Sequence, residues 1–219
     1  MASTRTRLVG PVAGVLFVAL SVVSGLMIFS DSPGGSKFSD QEIVSWFSGH
    51  KDRIQAGGFL WALAALAFVV FLAALRNRLR AQAGPETGIG GVAVAAGTAF
   101  VVLVSVGHGV IVAIASSLDY AKPFHVDPLT ARLVSVTAFW MDLYAVVAAA
   151  ALVGAVAVAA LRGAFLPRWI WPVGVVGTVL LVLSLLAAPW GLFILLAWTL
   201  VVSAALWFSP PAGEPAVAA

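Results

Sequence analysis

The sequence predicts an all-α, polytopic membrane protein: a bundle of six transmembrane helices with a short amphipathic helix on its outer side. Three observations predict this class. Of the 219 residues, 62% are hydrophobic and 10% are charged, whereas a soluble domain carries about 25% charged residues. The apolar residues form runs that reach the roughly 20 residues a membrane-spanning helix needs. These runs lack the alternation of polar and apolar residues that is typical of transmembrane strands.

The composition also excludes several classes of function. The chain has no cysteine, which excludes disulfides, thiol redox chemistry, iron–sulfur clusters and thiolate zinc sites. The net charge of +3 reflects scarce charge rather than a basic surface, so we expect no nucleic-acid partner. No phosphate-binding loop and no nucleophile motif is present, so we expect neither a cofactor nor catalytic residues.

The first predicted span covers residues 8–29 and follows two basic residues, Arg5 and Arg7. A signal peptide also starts with basic residues, but its apolar stretch has only about 7–15 residues. We therefore interpret this run as a retained anchor. Small residues near Ala19 and Ser21 leave cleavage as the alternative.

Three further runs predict the second, third and fourth spans, at residues 56–75, 89–118 and 133–161. The second run ends at a cluster of three arginines within residues 76–80. His108 interrupts the third run, and Asp142 interrupts the fourth. Asp127 and Pro128 precede the fourth run, and they predict an N-cap followed by a proline in the first turn of the helix.

The last two spans come from a long run without ionisable side chains, from residue 169 to residue 208. As one helix this run would be about 60 Å long, twice the hydrocarbon thickness. It must therefore fold back, and the turn signal near Pro189 divides it into spans at 169–187 and 191–208. Residues 1–208 thus form one membrane domain, and residues 209–219 are predicted to be a disordered cytoplasmic tail.

The basic residues predict the orientation of the bundle. With six spans both termini lie on one side, which also holds the arginine cluster at 76–80 directly after a span. Basic residues concentrate at helix ends on the cytoplasmic side. We therefore expect a multi-pass plasma-membrane protein with both termini in the cytoplasm, and we expect Trp61 at the outer membrane interface.

The outer segment at residues 30–55 is predicted to contain an amphipathic helix. Ser39 and Glu42 have the spacing of a capping box, and apolar residues then recur on one helical face. These residues are Ile43, Trp46, Phe47 and Ile54. We expect this helix to lie on the outer surface or over the mouth of the bundle.

The strongest candidate site is the pair His108 and Asp142. An ionisable side chain within a span costs about 2.5–3.5 kcal/mol or more, so it usually faces the bundle interior or water. We expect the two to lie at similar depth and to form one polar site in the outer half of the bundle. Three interpretations remain open: a structural hydrogen bond between two helices, a proton relay or polar substrate contact, and two separate aqueous pockets.

The candidate binding set also contains Ser105, His50 and Tyr144. Of these, Ser105 lies on the same helical face as His108. His50 and His125 could also join the pair in a zinc or copper set. No H-x-x-x-H or H-E-x-x-H spacing supports such a set. We therefore expect no metal site.

Two sequence patterns suggest contacts with another helix or with lipid headgroups. Gly10 and Gly14 form a G-x-x-x-G pattern, which permits close helix approach, between subunits or by chance alone. The arginines at 76–80 could bind anionic lipid headgroups or could simply set the topology.

Three segments carry a likeness to known proteins: residues 42–54, the Gly-Gly-Phe-Leu-Trp-Ala-Leu-Ala segment at 57–64 and the exit from the second span at 75–80. On these residues the chain resembles a group of bacterial multi-pass proteins that are common in actinobacteria and similar to the DUF4386-type families. In that group an outer amphipathic stretch with a His-x-x-Arg-like element leads into the second span, and His50 and Arg53 match it here. The resemblance implies an integral plasma-membrane protein and brings no catalytic residues.

These observations predict a non-enzymatic integral membrane protein, a subunit that binds a lipid or a partner protein through its apolar faces. The expected partners are the lipid bilayer and either a partner membrane protein or a second copy of the chain. One alternative is a small transporter or proton-coupled carrier that uses His108 and Asp142. Another is a membrane enzyme or a histidine metal site.

Overall fold

A computed structural model describes residues 4–32, 39–83, 88–120, 125–162, 166–187 and 190–208. These residues form six α-helices and no strand, which confirms the predicted all-α class. The tail at 209–219 lies outside the described residues. The helices are α1 (Thr4–Phe29), α2 (Asp40–Ala83), α3 (Ile89–Tyr120), α4 (Pro128–Leu161), α5 (Ile170–Ala187) and α6 (Gly191–Phe208).

Five of the six helices, all except α5, are long and apolar enough to cross a membrane. The apolar stretch of α5, Ile170–Leu186, is shorter than the spans of the other five helices. It packs antiparallel to α6, because Gly177 lies near Trp198 and Gly191 lies near Ser184. That α5 is a sixth span stays a prediction, and this hairpin supports it.

The outer amphipathic segment is not a separate helix in the structure. It is the first part of α2, which runs without a break for 44 residues, or about 66 Å. The predicted capping box starts this helix: the backbone N–H of Ser39 donates to Oε2 of Glu42 at 2.7 Å, and the backbone N–H of Glu42 donates to Oγ of Ser39 at 3.3 Å. We call residues 40–55 the α2 extension.

The lengths of the helices divide the bundle into two parts. Helices α3 and α4 have 32 and 34 residues, or about 48 and 51 Å, whereas α5 and α6 have 18 residues each, or about 27 Å. Only the longer helices exceed a hydrocarbon thickness of about 30 Å. They project on the side of the α2 extension, which we call the cap side. We call the opposite side, where Arg76 and Arg80 lie, the arginine side.

Two hydrophobic clusters match these two parts. The membrane core draws buried side chains from all six helices, including Phe17, Phe68, Phe100, Val153, Leu181 and Val202. The cap cluster draws on α1 to α4 and the residues before α4, but on neither α5 nor α6 among the described residues. Its members are Ile28, Ile43, Trp46, Phe47, Ile54, Ile111, Ile114, Ala115, Val126, Ala131 and Ala138. The α2 extension therefore covers one end of the bundle.

Three ion pairs tie the α2 extension to the cap-side ends of its neighbours. Exposed pairs of this kind contribute about 0–1 kcal/mol each, so they orient the extension more than they stabilise it. The hydrogen bond from Arg53 also holds the pKa of Asp31 below its ordinary value. The pairs are Arg53 with Asp31 after α1 (2.9 Å), Lys51 with Asp119 of α3, and Asp40 with Arg132 of α4 (2.7 Å).

Glycines allow the helices to approach closely. A Cβ added at Gly10 would lie 2.6 Å from the Cβ of Ala74, and one at Gly14 would clash with Oγ of Ser203 and lie 2.9 Å from the ring of Phe71. The G-x-x-x-G pattern of α1 therefore packs inside the bundle, against α2 and α6. Its spacing serves close packing within one chain.

Candidate functional site

His108 and Asp142 lie where the membrane core meets the cap cluster. On α3, Val104 belongs to the membrane core and Ile111 belongs to the cap cluster, and His108 lies between them. On α4, Asp142 lies between Ala138 of the cap cluster and Ala145 of the membrane core. We call Ser24, Trp61, Ser105, His108 and Asp142 the polar layer, since they lie at this boundary on α1 to α4.

The polar layer lies about one hydrocarbon thickness, roughly 30 Å, from the arginine-side ends of α3 and α4. His108 is about 28 Å along α3 from Ile89, and Asp142 is about 28 Å along α4 from Leu161, at a rise of roughly 1.5 Å per residue. The two residues therefore have equal depth, as the sequence predicts. Both α3 and α4 continue past this level on the cap side, where the cap cluster covers the layer.

His108 is buried, with 5% of its surface exposed, and aromatic rings surround it. Its ring centroid lies 4.8 Å from that of Trp61, edge to face, and 5.3 Å from that of Phe29. Both ring nitrogens are buried without a hydrogen-bond partner. An unsatisfied buried polar atom costs about 1–3 kcal/mol, so a residue of this kind calls for an explanation.

Asp142 lies against α3 at Gly107. A Cβ added at Gly107 would lie 3.5 Å from Oδ1 of Asp142, 3.3 Å from the Cβ of Met141 and 3.2 Å from the carbonyl oxygen of Ala138. Oδ1 is buried and has no hydrogen-bond partner. The structure thus brings His108 and Asp142 to one level of two adjacent helices, and no hydrogen bond joins the imidazole to Oδ1.

Ser105 belongs to the same layer and is linked to His108 through Trp61. The indole N–H of Trp61 donates to Oγ of Ser105 at 3.0 Å, and the same indole ring contacts His108. On the α1 side, Oγ of Ser24 donates to the carbonyl oxygen of Gly57 at 2.8 Å. Sequence reasoning missed Ser24. It expected Trp61 at the outer membrane interface, and the structure shows the ring buried between helices, not facing outwards.

The remaining candidate residues lie away from the polar layer. His50 is half-buried on the α2 extension, and its Nδ1 lies 3.0 Å from the carbonyl oxygen of Trp46. Tyr144 is 51% exposed on the outside of α4, with its ring 6.0 Å from that of Trp140. His125 is exposed before α4. Among the residues that the structure describes, no three His, Cys, Asp or Glu side chains come together to hold a metal ion.

Aromatic side chains fill the interior on the arginine side of the polar layer. The ring centroids of Phe17 and Phe68 are 4.4 Å apart, those of Phe68 and Phe100 are 5.4 Å apart, and Phe17 is 6.4 Å from Trp61. Phe17, Phe68 and Phe71 are fully buried. We call Phe17, Phe68, Phe71 and Phe100 the aromatic block. It fills the interior between α1, α2 and α3 on the arginine side of the polar layer.

A second candidate feature is an apolar groove on the outside of the bundle, between α1 and α2. It has a volume of about 540 Å³ and is open to the outside of the bundle. We call it the α1–α2 groove. Its lining contains no polar side chain and consists of Val9, Val12, Ala13, Leu16 and Leu20 of α1 with Leu63, Leu66, Ala67 and Val70 of α2.

No protein-family model, no curated protein and no solved structure matches this chain. The resemblance to the DUF4386-type families therefore stays a prediction.

Proposed function

We propose that this protein is a non-enzymatic integral membrane protein that binds lipid, as a lipid-binding subunit of a membrane assembly. The observation that carries this proposal is the α1–α2 groove. The groove lies at the depth of the hydrocarbon, and apolar side chains alone line it. A site of this composition recognises an apolar ligand by shape, because it offers no hydrogen bond.

The shape and lining of the groove favour an acyl chain as its occupant. Along α1 the groove extends from Val9 to Leu20, which is about 16 Å, and its volume is about 540 Å³. An acyl chain is a single row of methylenes without polar atoms, so it suits an elongated apolar groove of this kind.

The charge at the arginine side favours an anionic headgroup. Val70, at the arginine-side end of the groove on α2, is about 9 Å along the helix from Arg76. Arg80 follows one turn later and is exposed. Clustered basic side chains at a helix end attract anionic lipids, at about 1 kcal/mol per Lys or Arg near the membrane surface. The proposed ligand is therefore an anionic phospholipid.

The packed interior favours lipid binding over two alternative functions, a carrier and a histidine metal site. A carrier needs a path for its substrate through the bundle, and the aromatic block fills the interior between α1, α2 and α3 on the arginine side of the polar layer. A histidine metal site needs three or more ligands, and His50 and His125 lie away from His108. These arguments support a protein that acts by binding.

We further propose that the protein lies in the plasma membrane with both termini in the cytoplasm. The arginine-side residues Arg76, Arg80, Arg162 and Arg168 support this orientation, because basic residues concentrate on the cytoplasmic side. Epitope tags at the two termini should be protected from reagents outside the cell, and a tag at residues 121–124 should be labelled. A labelled terminus would contradict the orientation and leave the lipid-binding proposal intact.

Filling the α1–α2 groove should remove the bound lipid. Leu66 is 63% exposed on the groove wall, and Leu66→Trp places an indole in the groove without changing the membrane core. We expect about a tenfold weaker affinity for phosphatidylglycerol, which corresponds to about 1.4 kcal/mol of lost contact. Native mass spectrometry of the detergent-solubilised protein, with added phosphatidylglycerol or phosphatidylcholine, measures it.

The matched control is Leu183→Trp, which changes a leucine that is 51% exposed on α5. This variant should bind phosphatidylglycerol as the unchanged protein does. Equal lipid binding by the two variants would contradict the groove as the binding site. Equal affinity for the two phospholipids would contradict the headgroup assignment.

A further inference from the structure

The polar layer points to a second ligand, independent of the α1–α2 groove. Three buried polar atoms without partners lie at one level of α3 and α4: both ring nitrogens of His108 and Oδ1 of Asp142. From this arrangement we infer that His108 and Asp142 form a proton-binding site, which holds one proton between them and exchanges it with the cap side.

Charge balance favours one proton for the pair. With no proton the pair carries a carboxylate and a net charge of −1, and with two protons it carries an imidazolium and a net charge of +1. Burial of an uncompensated charge is expensive. One proton makes the pair neutral overall, either as imidazole with carboxylic acid or as imidazolium with carboxylate. The two groups then titrate as a pair, not one by one.

The surroundings of His108 accommodate both forms of the pair. Trp61 and Phe29 lie 4.8 and 5.3 Å away, centroid to centroid. An aromatic ring within about 6 Å attracts a cation electrostatically, and Trp does so best. Gly107 lets the carboxyl group approach α3, since its Cβ position is only 3.5 Å from Oδ1 of Asp142. The proton can therefore reside on either group.

Six charged groups on the cap side of the packed helices form ion pairs with one another, whereas Arg76, Arg80 and Arg162 lie at the arginine-side ends of α2 and α4. The other carboxyl and histidine side chains described on the cap side are Glu42, His50 and Asp52 on α2, with His125 and Asp127 before α4. The ring of His50 contacts Trp46. The described parts of α5 and α6 contain no ionisable residue. The six paired groups are Asp31 after α1, Asp40, Lys51 and Arg53 on α2, Asp119 on α3 and Arg132 on α4. The aromatic block fills the arginine side of the layer, and the cap-side ends of α3 and α4 are nearer to it, so we assign the exchange of the proton to the cap side.

The inference is tested by measuring whether the protonation of Asp142 changes the titration of His108. In protein with ¹⁵N-labelled histidine, solid-state NMR follows the ring nitrogens of His108 as the pH changes. We expect Asp142→Asn to move the titration midpoint of His108 by more than about one unit, because interacting sites titrate together. Asp52→Asn, at an exposed carboxyl on the α2 extension, should leave that midpoint unchanged. Infrared spectroscopy of the Asp142 carboxyl should show the reciprocal change in His108→Gln.

Several results would overturn the inference. If the His108 midpoint is the same in the unchanged protein and in the Asp142→Asn variant, the two groups do not share a proton. Binding of zinc alone that is lost in both variants would identify a metal site instead. If Asp142→Asn does not fold, the same titrations are carried out on the unchanged protein alone. A carboxyl group and an imidazole that titrate there as two independent single sites would contradict the shared proton. None of these results depends on the α1–α2 groove.

Discussion

Gly57→Leu is expected to lower the free energy of unfolding by about 3 kcal/mol, at the upper end of what overpacking usually costs. Gly57 faces α1 at the level where α2 leaves the membrane core. A Cβ there would lie 2.6 Å from Cγ1 of Ile28, and 3.3 Å from the backbone carbonyl oxygen of Ser24. Backbone cannot rotate away as a side chain can, so α1 and α2 must separate. That separation also breaks the hydrogen bond from Ser24 to the carbonyl oxygen of Gly57.

The matched control is Gly25→Leu on α1. No atom lies within 4 Å of a Cβ at Gly25, so a side chain there meets open space. Because glycine is about 1 kcal/mol less favourable than alanine inside a helix, this variant should be as stable as the unchanged protein or more so. Reversible unfolding in detergent measures both variants. Equal losses of stability would contradict the close contact of α1 and α2.

The adjacent residue shows why two glycines occur together here. A Cβ at Gly58 would lie 2.5 Å from Cγ2 of Val112 on α3. Gly57 and Gly58 therefore let α2 approach α1 on one side and α3 on the other. Each glycine lowers helix propensity by about 1 kcal/mol, and the close packing on both sides offsets this cost. We infer that this Gly-Gly pair serves packing rather than a break in the helix.

The helices and their order could be predicted from apolar length alone, for a physical reason. In lipid every backbone polar group must be satisfied internally, so long apolar runs form helices. The positions of His108 and Asp142 at one depth also followed from counting residues along these runs. Such predictions depend on local sequence and on the thickness of the membrane.

The continuity of α2 could not be predicted in the same way. Gln55, Gly57 and Gly58 mark the point where polar sequence gives way to apolar sequence, which resembles the boundary between a surface helix and a span. What holds the helix straight is tertiary: the cap cluster beneath the α2 extension and the ion pairs to neighbouring helices. The burial of Trp61 could not be predicted from local sequence either, because its hydrogen-bond partner, Ser105, lies on another helix.

The cap over the polar layer exists only if α2 continues past Gly57 as one straight helix. A straight α2 and an α2 that turns at Gly57 differ strongly in the distance between Gln41 and Asn77. A continuous helix separates Gln41 from Asn77 by about 54 Å, at a rise of roughly 1.5 Å per residue. An extension that turned at Gly57 to lie flat on the membrane would leave about 38 Å between them.

The most direct measurement is the distance between spin labels at Gln41→Cys and Asn77→Cys. Both positions are exposed, and the chain has no other cysteine, so the labels report only this pair. Pulsed electron paramagnetic resonance of the protein in lipid nanodiscs should give a single distance distribution centred near about 54 Å, the length of the continuous helix. A distribution centred below about 40 Å, as a turned extension requires, would contradict the cap, and with it the shelter that the cap gives to His108 and Asp142.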